Sequence, residues 1–127
     1  MPIHYEIQPD QKVVYTTLKG ELSEIELADY FMSLVSHPLF HPSFRVLVNT
    51  ARIDSVAVTG EEIRAMSEAT HDEAAKLGGA RVAIYAPSDV VYGMMRMYQT
   101  LRDESPYDIK VFRDLGEARR WLGLSAA

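Results

Sequence analysis

Few residues in this chain could do chemistry, and their spacing narrows the choice. His37 and His41 sit four apart, which on a helix would present two imidazoles to one metal ion. Pro38 and Pro42 interrupt such a helix, and no carboxylate follows at ligand spacing, so no metal is expected. The chain has no cysteine, which removes a disulfide framework, a thiol nucleophile, a thiolate zinc site and an iron–sulfur cluster. There is no Gly-x-Ser-x-Gly elbow, and no spacing joins Ser55 or Ser88 to any of the four histidines as a triad. Gly78-Gly79 stands alone before a strand and completes neither a Walker loop nor a GxGxxG fingerprint. The expectation is a non-enzymatic protein without a cofactor.

The most unusual segment follows Ser88. Met94, Met95 and Met97 crowd around Gly93, between Tyr92 and Tyr98. Methionine is flexible and polarisable and suits an adaptable binding wall. Gly93 costs roughly 1 kcal/mol against alanine in mid-helix, so close backbone packing or room for a ligand is expected to offset it. Neighbouring helical residues point in different directions, so the three methionines cannot share one core face; at least one should face outward or into a groove. Gap-filling core methionines beside a packing glycine would also account for the pattern. The sharper expectation is an apolar pocket walled by this helix together with Phe31, Met32, Leu39 and Phe40. Met94, Met95 and Met97 would supply adaptable contacts there, and Tyr92 and Tyr98 rigid aromatic surface. Arg96, one turn beyond Tyr92, would clamp a carboxylate or phosphate head group, or else be solvated or paired with Asp89 or Asp103.

Ligands of open α/β sheets usually sit outside the carboxyl ends of parallel strands, which singles out the segments Asn49 to Thr59 and Ala86 to Asp89 as loops. Asn49, Asp54, Ser55, Thr59 and Ser88 are the candidates there for a partner surface or a phosphorylation site, because helix N-termini attract anions. Thr59 and Ser88 would equally serve as plain helix caps worth ~1 kcal/mol apiece.

The elements that must position these residues are legible from periodicity. Ile3, Tyr5 and Ile7 alternate with polar residues as a half-buried strand does, Pro9 and Asp10 turn the chain, and Lys12 to Lys19 reads as the returning strand, ended by Gly20. Ser23 with Glu26 forms a capping box for a helix burying Leu27, Tyr30 or Phe31, Leu34 and Val35, stopped at His37-Pro38. Phe44 to Val48 is a strand covered on both faces. Thr59 with Glu62 caps a second helix along Ile63, Met66, Thr70 and Leu77, with Gly78-Gly79 as its left-handed cap. Arg81 to Ala86 is a strand, Ser88 caps the methionine-rich helix carrying Val91 and Leu101, and Ile109 to Phe112 is a short strand. Asp114 opens a last helix holding Leu115, Ala118, Trp121 and Leu122. The order β-β-α-β-α-β-α-β-α predicts an α/β fold, a mixed five-stranded sheet with four helices.

With 127 residues and 14.3 kDa, one domain spanning 1–127 is expected. The composition, 47% hydrophobic and 24% charged, is that of a globular protein and not of a disordered one. A formal charge of −5 argues against nucleic acid and against bulk attraction to anionic membranes. No apolar run reaches the ~18 residues of a membrane span, and Met1-Pro2-Ile3-His4 begins no signal peptide, so a cytoplasmic location is expected.

The element order and its residues resemble the SpoIIAA-like family of the STAS superfamily, in its branch of small stand-alone bacterial proteins with a CRAL-TRIO-like fold. The likeness is carried by His37-Pro38-Leu39-Phe40-His41-Pro42, by Phe44 to Asn49, by Ala86-Pro87-Ser88-Asp89 leading into Tyr92-Gly93-Met94-Met95-Arg96-Met97, and by Val111-Phe112-Arg113-Asp114 with Glu117-Ala118 to Trp121-Leu122. The resemblance implies a domain that does no catalysis: a carrier of an apolar, lipid-like molecule, or an anti-sigma-factor-antagonist-like partner switch controlled by phosphorylation. Antagonists carry Asp-Ser, a small residue and Gly directly before the second helix, whereas Asp54-Ser55 is followed here by Val56-Ala57-Val58. The leading expectation is therefore reversible binding of an apolar small molecule or lipid, or of a regulatory protein, with the Ser55 or Thr59 phosphoswitch as the rival. Peripheral membrane contact and a homodimer both stay open.

Overall fold

Ile3, Tyr5 and Ile7 are half-buried while His4 and Glu6 face solvent, so the alternating N-terminal pattern forms β1 (Ile3–Gln8). The Pro9-Asp10 turn returns the chain into β2 (Val13–Leu22), antiparallel to β1, with Ile3 opposite Leu18 and Gln8 opposite Val13. Gly20 does not end β2 as expected. At φ +73° it takes the left-handed conformation beside register shifts against the next strand, and the ladder resumes to Leu22.

Ser23 accepts the Glu26 N–H and starts α1 (Glu24–Ser36); His37, held extended before Pro38, ends it. There follow β3 (Arg45–Val56), α2 (Gly60–Ala69), β4 (Arg81–Tyr85), α3 (Asp89–Leu101), β5 (Asp108–Phe112) and α4 (Leu115–Trp121). This is a computed structural model, and it describes residues 3–69, 80–101 and 108–125. Thr70, Leu77, Gly78-Gly79 and Asp103, named above, lie outside the described residues.

The expected loop from Asn49 to Thr59 is corrected by the long β3. Lys19 to Leu22 of β2 lies alongside Arg52 to Val56, so the chain stays in the ladder until Val56 and only 57–59 connect it to α2. The sheet order is β1-β2-β3-β4-β5, with β2 to β5 mutually parallel. The fold is α/β, a mixed five-stranded sheet with four helices.

The strand order never reverses, and the three crossover helices share one face. Leu34 of α1, Ile63 and Met66 of α2, and Val91, Met94 and Met95 of α3 join Val14, Leu18, Val46, Val48, Val82, Ile84 and Val111 in one core. Burying each such side chain contributes about 1.5–3 kcal/mol. Among the described residues the other face carries α4, whose Ala118 and the adjoining Leu122 cover Leu47, Ala83 and Phe112. Arg45 fastens that end of the chain, donating to the Leu122 carbonyl at 3.0 Å and the Gln11 carbonyl at 2.8 Å, while Arg81 stacks 4.2 Å over the Trp121 ring.

Gly93 departs from the expectation of a packed or ligand-facing glycine. It is exposed, and a Cβ built on it meets nothing within 4 Å. Its helical cost is therefore not offset by packing, and Gly93→Ala should raise stability by about 0.5–1 kcal/mol in urea melts. No gain, or a loss, would mean that the position is occupied in solution. Asp114→Ala, which removes the acceptor for the Glu117 N–H at the start of α4, should lower stability by about 1 kcal/mol.

Candidate functional site

A cavity of about 90 Å³ lies between the sheet and the three helices on its thick face. Its floor is Leu18, Val46, Val48, Val82, Ile84 and Ile109, the inward residues of four adjacent strands. Leu27, Tyr30, Phe31 and Leu34 of α1 wall one side, Ile63 and Met66 of α2 another, and Met95 and Tyr98 of α3 the third. These follow from helical spacing, since 27, 30, 31 and 34 lie on one face of α1, as do 95 and 98 on α3. Leu27, Tyr30, Phe31, Tyr98 and Ile109 are only half-buried, so the hollow is not sealed from solvent.

The wall is carbon and sulfur nearly throughout. Tyr30 is its best-defined polar group, with its hydroxyl 2.7 Å from Thr16 Oγ1 and its ring edge-on to Tyr5 at 5.6 Å. Tyr5 is held in turn by a 2.7 Å hydrogen bond to Ser33 Oγ. Burial pushes the Tyr30 phenol well above the usual tyrosine range; the Thr16 hydrogen bond opposes that shift, and the Tyr98 and Tyr5 phenols add to it. The Tyr30 side is thus a neutral environment that disfavours negative charge.

Among the residues that sequence suggested for a pocket, the structure brings Phe31, Met95 and Tyr98 into this wall. Met94 is buried in the surrounding core, 9% exposed. Met97 is half-buried against the first turn of α2, its Sδ 3.4 Å from a Cβ built on Gly60. The three methionines do point apart, as helical geometry requires. Met32 and Leu39 are exposed, and Phe40 packs edge-on to Phe44 at 6.0 Å. Tyr92 lies under the Arg113 guanidinium, 5.0 Å from its ring centre. Arg96 is exposed on the outer side of α3 and donates to Gln99 of its own helix. Asp89 is paired with Arg113 at 2.8 Å instead.

The strand-end candidates do not gather into one place. Asn49 lies in β3 and accepts the Ala51 N–H, while Asp54 and Ser55 are exposed further along that strand. Thr59 and Glu62 form a reciprocal capping box, with bonds of 3.0 and 3.1 Å, and Ser88 accepts the Val91 N–H at 3.3 Å to cap α3. A sheet whose order never reverses has no switch-point crevice, which is the physical basis of the strand-end rule. The hollow lies under the helices instead. Leu18, Leu27, Tyr30, Leu34, Val46, Val48, Ile63, Met66, Val82, Ile84 and Ile109 were not among the site candidates, because in sequence each reads as ordinary core.

Among the described residues no group of three or more His, Asp or Glu is placed to hold a metal, and no helix is long and apolar enough to cross a membrane. Comparison with protein-family profiles and with curated proteins finds no match to the chain. Among solved structures it is similar to an uncharacterised protein of the DUF3478 family with a SpoIIAA-like fold from Shewanella loihica PV-4. That likeness has a TM-score of 0.56 at 17% identity and covers 94% of this chain and 93% of the other. The chain has a SpoIIAA-like fold.

Proposed function

We propose that the domain is a non-enzymatic binding module that takes an apolar, lipid-like small molecule into the cavity beneath α1, α2 and α3. The observation that carries this reading is the apolar hollow itself. An apolar guest in this hollow of about 90 Å³ would take the surrounding carbon and sulfur surface out of water and gain dispersion contacts with it. The volume is smaller than the ~150 Å³ of an engineered cavity that accepts benzene, so a larger guest needs the wall to give. Met66 and Met95 are the unbranched, adaptable side chains that could do so.

The phosphoswitch reading draws less support from the geometry. A phosphate at Thr59 would replace the hydroxyl that caps α2 and would sit beside Glu62, whose carboxylate shares a hydrogen bond with Glu24. The Glu24 carboxyl is already raised by that hydrogen bond, by desolvation and by the Glu62 charge, so added negative charge would be repelled there.

Toluene and 1-hexanol should raise the melting temperature of the wild-type protein saturably, and native mass spectrometry should show one guest per chain. Val48→Phe, which grows a floor residue into the hollow, should abolish the shift while keeping the far-ultraviolet circular dichroism of the wild type. Val82→Leu, a smaller filling, should weaken it by about fourfold, in line with one methylene of lost space. A wild-type protein indifferent to every apolar probe would sink the proposal.

A further inference from the structure

We infer that the cavity selects uncharged guests and excludes carboxylates of the same chain length. This rests on the cavity reading above and specifies the chemical class of its occupant. Among the described residues, the wall holds no charged side chain. A fatty-acid anion entering it would lose water without gaining a cation from these lining residues, and a buried unpaired carboxylate is among the costliest groups to desolvate. Arg96, the cation on the methionine-rich helix, is exposed, bonded to Gln99 and outside the wall, while Arg113 is committed to Asp89 and the Pro87 carbonyl.

Three further observations point the same way. The Tyr30 and Thr16 hydroxyls share a 2.7 Å hydrogen bond, so each has a partner within the fold, and what the pair has left to offer a guest is neutral hydroxyl and no cation. The hollow is also small, about 90 Å³, so a guest seated in it keeps its polar end near an apolar wall, where a charged head is poorly hydrated. The surroundings that push the Tyr30 phenol upward would penalise a guest anion in the same way.

Titrating the full chain with 1-hexanol and with hexanoate separates the alternatives, because the two share a chain and differ in charge. At about pH 8, where the carboxylate is ionised, 1-hexanol should bind about 100-fold more tightly. The gap should close as the pH falls toward about 4–5 and the acid becomes neutral. Val48→Phe should abolish both signals, with Val82→Leu weakening both if the larger side chain disturbs folding. Hexanoate binding within about threefold of 1-hexanol at about pH 8 would overturn the charge selection and leave the cavity reading standing. If neither 1-hexanol nor toluene binds, the cavity reading falls and takes this inference with it.

Discussion

The consecutive order of the parallel strands governs the rest of the structure. Because β2, β3, β4 and β5 lie side by side in chain order, α1, α2 and α3 all come to rest on the same face. Three helices must then close over inward-facing rows built largely of valine and isoleucine. Valine is short and stiff at χ1, so Val46, Val48 and Val82 cannot reach up to meet the helices. Tyr30 reaches the sheet at Thr16, which holds its hydroxyl, while Tyr5 flanks its ring. The hollow lies between this floor of short side chains and the helix residues that wall it.

The opposite face is built on a different balance. One seven-residue helix covers it, too short to be stable by its own hydrogen bonds. It is kept in place by an N-cap at Asp114, by Ala118 and Leu122 against Leu47 and Phe112, and by arginines that work from the sheet side. Arg45 bonds the carbonyl that closes the helix, and Arg81 lies over Trp121. The molecule thus has a thick face with a cavity and a thin face with a docked strap. The proposed binding site belongs to the thick one.

The methionine-rich helix illustrates how one segment divides its labour. Met94 fills core, Met95 reaches the hollow, Met97 lies over Gly60 at the start of α2, and Gly93 looks into open space. Only one of the three sulfurs meets the cavity, and its counterpart Met66 comes from a helix whose sequence shows nothing unusual. An adaptable wall is assembled across elements rather than written along one of them.

The sequence by itself determined the element order, because hydrophobic period and capping chemistry are local. Ser23, Thr59, Ser88 and Asp114 each accept the N–H three residues on, and Pro38 ends α1 where steric conflict demands it. Helical spacing also required the three methionines of α3 to point apart, but it did not say which of them, or which other pocket candidates, would turn inward. Tertiary structure decided what those directions meet. The length of β3 depended on Lys19 to Leu22 continuing past Gly20 as its partner, a pairing between segments some thirty residues apart that no local pattern records. The cavity depended on how side chains from three helices and four strands come together, and a hollow is a property of their separation, which residue types alone do not specify.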